Sequence, residues 1–225
     1  MKEKIIIIGG KGTAVVIAEQ LIHAIDKCNY DAEFLGFAFN DPNLDVILGR
    51  PILYKPYDEM KEKYLKYNDV KFIFQLYRPD AIRERCGWRD KINIPLEKYF
   101  NFIHPFAYVA GSATIGYGNV FLANTVVNSN VVVGDFNTFN SGTLLGHDTK
   151  MGNSNFFAAQ VCIGSGLNIG DMNFVGLNSS LKNEITIGNE CIVGMASNVV
   201  KDLSNNAIVY GNPAKEKEKL NHIVR

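Results

Sequence analysis

From Ile103 to Val199 an apolar residue stands at every sixth position without a break, running from Ile103, Val109, Ile115 and Phe121 through Leu145 and Ile163 to Val193 and Val199. All seventeen positions of this register are apolar. Nine of them are followed directly by glycine, and the fifth place of the hexad is mostly small or polar, as at Thr125, Thr143, Asn155 and Ser179. This is the hexapeptide signature of a parallel β-helix, in which each unit supplies one short strand and one turn. The repeated aliphatic points into a narrow shaft and stacks on the same position of neighbouring coils, while glycine and asparagine accept the tight turns. Three hexads close one triangular coil. Each residue is therefore expected one strand spacing, about 4.8 Å, from the residues one coil, or 18 positions, before and after it.

The pattern before residue 100 is different. Lys4 to Gly9 reads as a buried parallel strand, a run of four isoleucines ending in glycine. After Gly9-Gly10-Lys11-Gly12-Thr13, apolar Ala14, Ile17, Ala18, Leu21, Ile22 and Ile25 mark one face of a helix. Further strands are expected at Glu33–Phe37 and Lys71–Gln75, a mixed helix at Glu59–Tyr67, and a helix from Pro79 to about Arg89. This alternation implies a small Rossmann-like α/β unit over residues 1–100, followed by the all-β parallel β-helix over 101–208. A tail over 209–225 follows, with a terminal helix expected at Lys215–Lys219.

In the α/β unit the strand-end loops at Gly9–Thr13, Ala38–Asp41 and Gln75–Arg78 open on one edge, where such sheets bind ligands. The glycine turn offers backbone N–H groups and a positive helix end to a phosphate. The spacing GxGxxG is not met in its usual register, so a tight βα turn without a ligand is the competing reading.

Composition narrows the classes. Lys plus Arg and Asp plus Glu are equal at 23 each, with no polybasic run, so there is no electrostatic footprint for nucleic acid or an anionic membrane. The Ile5–Ile8 run is too short for a signal segment or a membrane span, which makes the cytoplasm the expected location. Cys28, Cys86, Cys162 and Cys191 are scattered without CxxC spacing and read as buried free thiols.

Among the coils only His104 and His147 are histidines, so a three-histidine metal site lacks ligands and no metal is expected. No ladder of paired threonines marks an ice-binding face. His147 follows the inward Leu145 and Gly146 at a turn, and Asp148 follows it. An imidazole beside a carboxylate has what a general base needs. Adding 18 places Ser165 beside His147, within Gly164-Ser165-Gly166, a turn able to offer N–H donors to an oxyanion. Asn140 reads either as a site residue or as a structural turn residue.

These residues resemble the bacterial nucleotide-sugar acyltransferases, a family that pairs a Rossmann-like domain with a left-handed β-helix. It includes UDP-N-acetylbacillosamine N-acetyltransferase and the sialic-acid O-acetyltransferase-like proteins. The resemblance rests on the Ile5–Gly9 strand and its turn, Ile103-His104-Pro105, His147-Asp148, Gly176-Leu177-Asn178-Ser179-Ser180, and the closing Val209-Tyr210-Gly211-Asn212-Pro213-Ala214-Lys215. It implies a homotrimer using acetyl-CoA as co-substrate, without a metal, to acylate the amine of a nucleotide-linked amino-deoxysugar in surface-glycan or lipopolysaccharide biosynthesis. By this resemblance His147 and Asp148 are catalytic. Gly9, Gly10, Lys11, Gly12, Thr13, Asp41, Gln75, Arg83 and Asn140 bind the sugar nucleotide, and Gly164, Ser165, Gly166, Gly176, Gly194, Ala196, Asn212 and Lys215 bind CoA. The chain departs from the family at Thr13, Asn40-Asp41, Gln75-Leu76-Tyr77 and Phe156. O-acylation of a sugar hydroxyl and a non-catalytic trimeric sugar-nucleotide scaffold are the alternatives.

Overall fold

A computed structural model describes residues 2–54 and 57–217. The chain divides into two units, one comprising Met1–Pro105 with Tyr117–Asn119 and the other Phe106–Gly116 with Val120–Arg225.

The first unit is built on β1 (Glu3–Ile8), whose Ile5, Ile6, Ile7 and Ile8 are fully buried. A strand paired on both edges and covered on both faces calls for such a run. Helix α1 (Thr13–Cys28) follows and buries Ala14, Ile17, Ala18, Leu21 and Ala24, before Asn29 ends it in the left-handed conformation. Then come β2 (Ala32–Ala38), β3 (Val46–Ile47), β4 (Arg50–Tyr54), α2 (Tyr57–Tyr64), β5 (Val70–Phe74) and α3 (Ile82–Ile92). The sheet order is β3-β4-β2-β1-β5, with β4, β2, β1 and β5 parallel and β3 antiparallel at the edge. Since β1 lies between β2 and β5, the loops after β1 and β5 diverge, the arrangement that opens a ligand crevice in doubly wound sheets.

The structure adds the β3–β4 pair, which the pattern did not announce. Two residues of strand, with Val46 53% exposed, carry no alternation to read, and a turn with positive φ at both Leu48 and Gly49 joins them. Pro79 opens a short 3₁₀ turn, Pro79–Ala81, and α3 begins only at Ile82.

In the second unit, two-residue strands recur every six residues and form three parallel sheets, the faces of a prism. On the first face Val127 pairs with Leu145 and Leu145 with Ile163, each 18 residues apart. Leu145 is fully buried. From Phe121 to Val199 every sixth residue is buried, whereas Ile103, Val109 and Ile115, at the start of the series, are half-buried. On the second face Val133 pairs with Met151 and Met151 with Ile169, and on the third Phe121, Phe139 and Phe157 stack in register, with ring centroids 4.7 and 5.1 Å apart.

The polar hexad place is explained by cross-coil bonding. Asn137, Asn155 and Asn173 are buried, and Asn155 donates both its backbone N–H and its Nδ2 to Asn137 Oδ1 at 2.9 Å. Asn173 repeats this on Asn155, and the Cys191 N–H closes the series on Asn173 Oδ1. A buried corner N–H needs an acceptor, and a carboxamide one coil away supplies it.

Two expectations are corrected. Lys215–Glu216 form a strand antiparallel to Ile208–Tyr210 rather than the start of a helix, because the backbone after the 211–214 turn completes an open sheet edge. Residues 218 and 219 lie outside the described residues. Cys162 is exposed rather than buried, since its neighbour Ile163 takes the inward place; Cys191 is buried and Cys28 and Cys86 are half-buried, all four free.

Candidate active site

His147 lies at the corner between the first and second faces, between the strands Leu144–Leu145 and Lys150–Met151. Asp148 adopts φ 59°, which turns its carboxylate back toward the preceding ring. Its Oδ2 lies 2.6 Å from His147 Nδ1, and its Oδ1 accepts from Asn130 Nδ2 at 3.0 Å. The His147 bond, and after it the Asn130 bond, holds the Asp148 carboxyl below its ordinary 3.8. An ionised carboxylate only accepts, so in the neutral ring Nδ1 carries the proton and Nε2 presents its lone pair outward. Both side chains are more than half exposed. Asn130 escaped the sequence reading, although it stands 18 residues before Asp148 and the coil rule points to it.

Ser165 lies one coil on, and the Gly166 N–H donates to the His147 carbonyl at 2.9 Å. The three N–H groups of its turn are engaged within the coil: Gly164 with Leu181 O, Ser165 with Asn183 Oδ1 at 3.0 Å, and Gly166 with His147 O.

Asn140, Gly176, Gly194 and Ala196 sit at a different corner, between the third and first faces. There the Asn140 Nδ2 is bonded to Phe157 O at 3.0 Å. Glycine is needed at 194 because a Cβ would run into the Tyr210 ring, and at 176 because it would meet the Met195 N at 2.6 Å. Asn212 precedes a cis Pro213 in the 211–214 turn, and Lys215 follows on the last described strand.

In the first unit, Gly9 and Gly10 are required by packing. A Cβ at Gly9 would stand 2.5 Å from the Gln75 carbonyl oxygen, and one at Gly10 would enter the Phe39 ring. Gly12 has open space and φ 54°, the conformation that favours glycine. Among the described residues, the N–H groups of Gly10, Lys11 and Gly12 donate to no protein acceptor, and α1 starts without a side-chain cap. Lys11 Nζ meets Asp41 Oδ2 at 2.7 Å and so ties the loops after β1 and β2. Thr13 opens α1, Arg83 lies exposed on α3, and Gln75 is buried.

Among the described residues, no group of three or more His, Cys, Asp or Glu is placed to hold a metal ion. No helix there is long and apolar enough to cross a membrane.

No protein-family model matches the chain, and no curated protein matches it by sequence. Solved structures do. The chain is similar to perosamine N-acetyltransferase from Caulobacter crescentus, seen as a histidine-to-asparagine variant in complex with CoA and GDP-perosamine. Identity is 25%, coverage 96% of this chain and 97% of that one, and the TM-score 0.82. The acetyltransferase domain of PglB from Neisseria gonorrhoeae superposes with TM-score 0.81 at 23% identity, over 96% and 100% of the two chains. WeeI from Acinetobacter baumannii does so with TM-score 0.73 at 18% identity, over 96% and 100%. The fold of these solved structures thus extends over nearly the whole chain.

Proposed function

We propose that this chain transfers the acetyl group of acetyl-CoA to the amine of a nucleotide-linked amino-deoxysugar, in the cytoplasm, for surface-glycan or lipopolysaccharide biosynthesis. The observation that carries the reading is the Asn130–Asp148–His147 chain. It places an oriented imidazole on a coil corner, in a fold shared end to end with an acetyltransferase seen with CoA and an amino-sugar nucleotide.

His147 Nε2 takes a proton from the sugar amine as its nitrogen bonds to the thioester carbon and the carbonyl electrons move onto oxygen. Asp148 stabilises the resulting imidazolium and keeps it in one tautomer. Collapse of the tetrahedral adduct breaks the C–S bond, and the imidazolium returns its proton to the departing sulfur. Amide, CoA thiol and neutral histidine balance the step. The site thus supplies proton transfer and positioning, and a covalent acyl-enzyme is not needed.

The nucleotide belongs to the Rossmann-like first unit, with the open N–H groups at Gly10–Gly12 facing its phosphates and Lys11, Thr13, Asp41 and Arg83 near them. A left-handed β-helix and a homotrimer complete the reading. His147 and Gly164–Gly166 lie at one edge of the first face, and Asn140, Gly176, Gly194 and Ala196 at the other. Six residues at roughly 3.3 Å each separate those edges by up to ~20 Å. A compact site drawing on both sets therefore needs the corner of a second copy. The first face and its corner expose Tyr108, Leu177 and Met195 at 59%, 52% and 74%, apolar surface that such packing would cover.

The test is CoA release with UDP-, dTDP- and GDP-linked amino sugars. Turnover with one of them, lost in His147→Ala, supports the reading. Binding without CoA release assigns a scaffold role, and a stable monomer by light scattering removes the two-chain site.

A further inference from the structure

At the end of β2 lies a cavity of about 350 Å³, lined by Asn40 after the strand, Tyr57 and Asp58 at the start of α2, and Trp88, Lys91 and Ile92 on α3. Its walls are tied to one another. The Tyr57 hydroxyl is bonded to the Asn40 backbone, which joins α2 to the strand end. The Arg85 guanidinium lies over the Trp88 ring at 3.8 Å and covers one face of the indole. At the exposed rim, Lys61 Nζ meets the Asp58 carboxylate at 3.0 Å.

The cavity stands beside the glycine turn after β1. Asn40 precedes Asp41, whose Oδ2 takes Lys11 Nζ of that turn at 2.7 Å and whose Oδ1 takes the Asn43 N–H at 3.0 Å. In sheets of this kind an acidic residue near the end of the second strand commonly binds the ribose. Here both of its oxygens serve the loops themselves, and the next polar side chains along the crevice are those of the cavity.

We infer that this cavity takes the base of the sugar nucleotide, that the base is guanine, and that Asp58 is the residue that selects it. This deepens the acetyl-transfer reading and rests on its placing a nucleotide in the first unit. The pattern of polar groups decides between the bases. Guanine sets two donors, N1–H and the 2-amino group, side by side, and one carboxylate accepts both with its two oxygens. Its other edge carries O6 and N7, acceptors for the Lys91 ammonium and the Asn40 carboxamide. In uracil and thymine the one N–H stands between two carbonyl oxygens, so a carboxylate on that edge also meets an acceptor. Adenine sets a single amino donor beside an acceptor nitrogen. The Tyr57 and Trp88 rings offer any base an apolar surface to lie on, which adds affinity rather than choice.

The test is calorimetry of the full chain with GDP, IDP, UDP and dTDP, where IDP is GDP without the 2-amino group. GDP should bind at least about tenfold more tightly than the other three, in line with one bidentate pair. Trp88 is the single tryptophan of the chain, so its emission should change as GDP binds. In Asp58→Ala the GDP-to-IDP affinity ratio should fall to within about twofold, since the group that reads the 2-amino donor is gone. Tm should barely move, because the Asp58 side chain is 93% exposed. A merely structural role would leave that ratio untouched. UDP or dTDP binding as tightly as GDP overturns the inference and leaves acetyl transfer standing. GDP binding with unchanged Trp88 emission does the same, as does an Asp58→Ala ratio equal to that of the unsubstituted protein. If none of the four nucleotides binds, the inference falls together with the nucleotide site of the first unit.

Discussion

The corner between the second and third faces and the corner bearing His147 are made from the same hexad, with glycine after an inward aliphatic in both. In the former, the backbone N–H groups of Asp135, Asn153, Asp171 and Asn189 are each accepted by the side chain one coil on, in a ladder that ends on Asn205. In the latter the ladder survives only at Ser165 and Asn183, and an imidazole–carboxylate pair held by Asn130 occupies the interruption. The saturated corner is suited to holding the coils together. The interrupted one keeps polar groups free to meet a ligand, which is how functional sites commonly depart from the local rule of their own fold.

The largest effect that would sharpen this contrast is on rate. His147→Ala should lower kcat by roughly 10²–10⁴ with little change in KM, and leave Tm nearly unchanged because the ring is exposed. Asp148→Asn should lower kcat by no more than about 10²-fold, since the base remains and only its orientation and charge stabilisation suffer. Because its carboxyl is held below 3.8, Asp148 stays charged in the wild type down to the acid range. A rate limb between pH 5 and 9 that moved onto this carboxylate would break the assignment.

At the closed corner the expected effect is on stability instead. Asp171→Ala removes the acceptor of the Asn153 N–H and Nδ2. It should cost about 1–3 kcal/mol in urea unfolding with turnover per folded molecule unchanged. A rate loss comparable to that of His147→Ala would erase the distinction between the corners.

The smallest effect lies in the first unit. His104 is buried, stacked on His23 at 5.7 Å, and burial, then the His23 charge, pull its pKa below the ordinary 6.5. The unfolded chain therefore binds the extra proton. Stability is fully present above 6.5 and is lost as pH falls through that value to the folded pKa. Urea midpoints read from the single Trp88 should be lower at pH 5.5 than at 7.5, and His104→Phe should flatten that slope. Equal slopes in the two proteins would remove His104 as the cause.

The sequence by itself determined the coil, because a β-helix writes its tertiary contacts as a fixed period. Residue n meets n + 18, so Leu145, Val127 and Ile163, and likewise His147 and Ser165, were neighbours before any coordinates. The β1–α1 turn was equally plain, being local. The α/β unit was less open to reading where its elements are two residues long, as at Val46–Ile47, or where a Pro starts a 3₁₀ turn ahead of the helix.

Only the tertiary structure decided which polar groups remain available. Whether an N–H is closed depends on the reach of a side chain one coil away: Asn183 accepts the Ser165 N–H, whereas Ser165, its side chain shorter by one atom, does not accept that of His147. The glycines at 9, 10, 164 and 194, expected from the sequence to contact ligands, also have a steric reason that only the structure gives. Periodicity records where backbones pass. It does not record which of their hydrogen-bonding groups another residue has already taken.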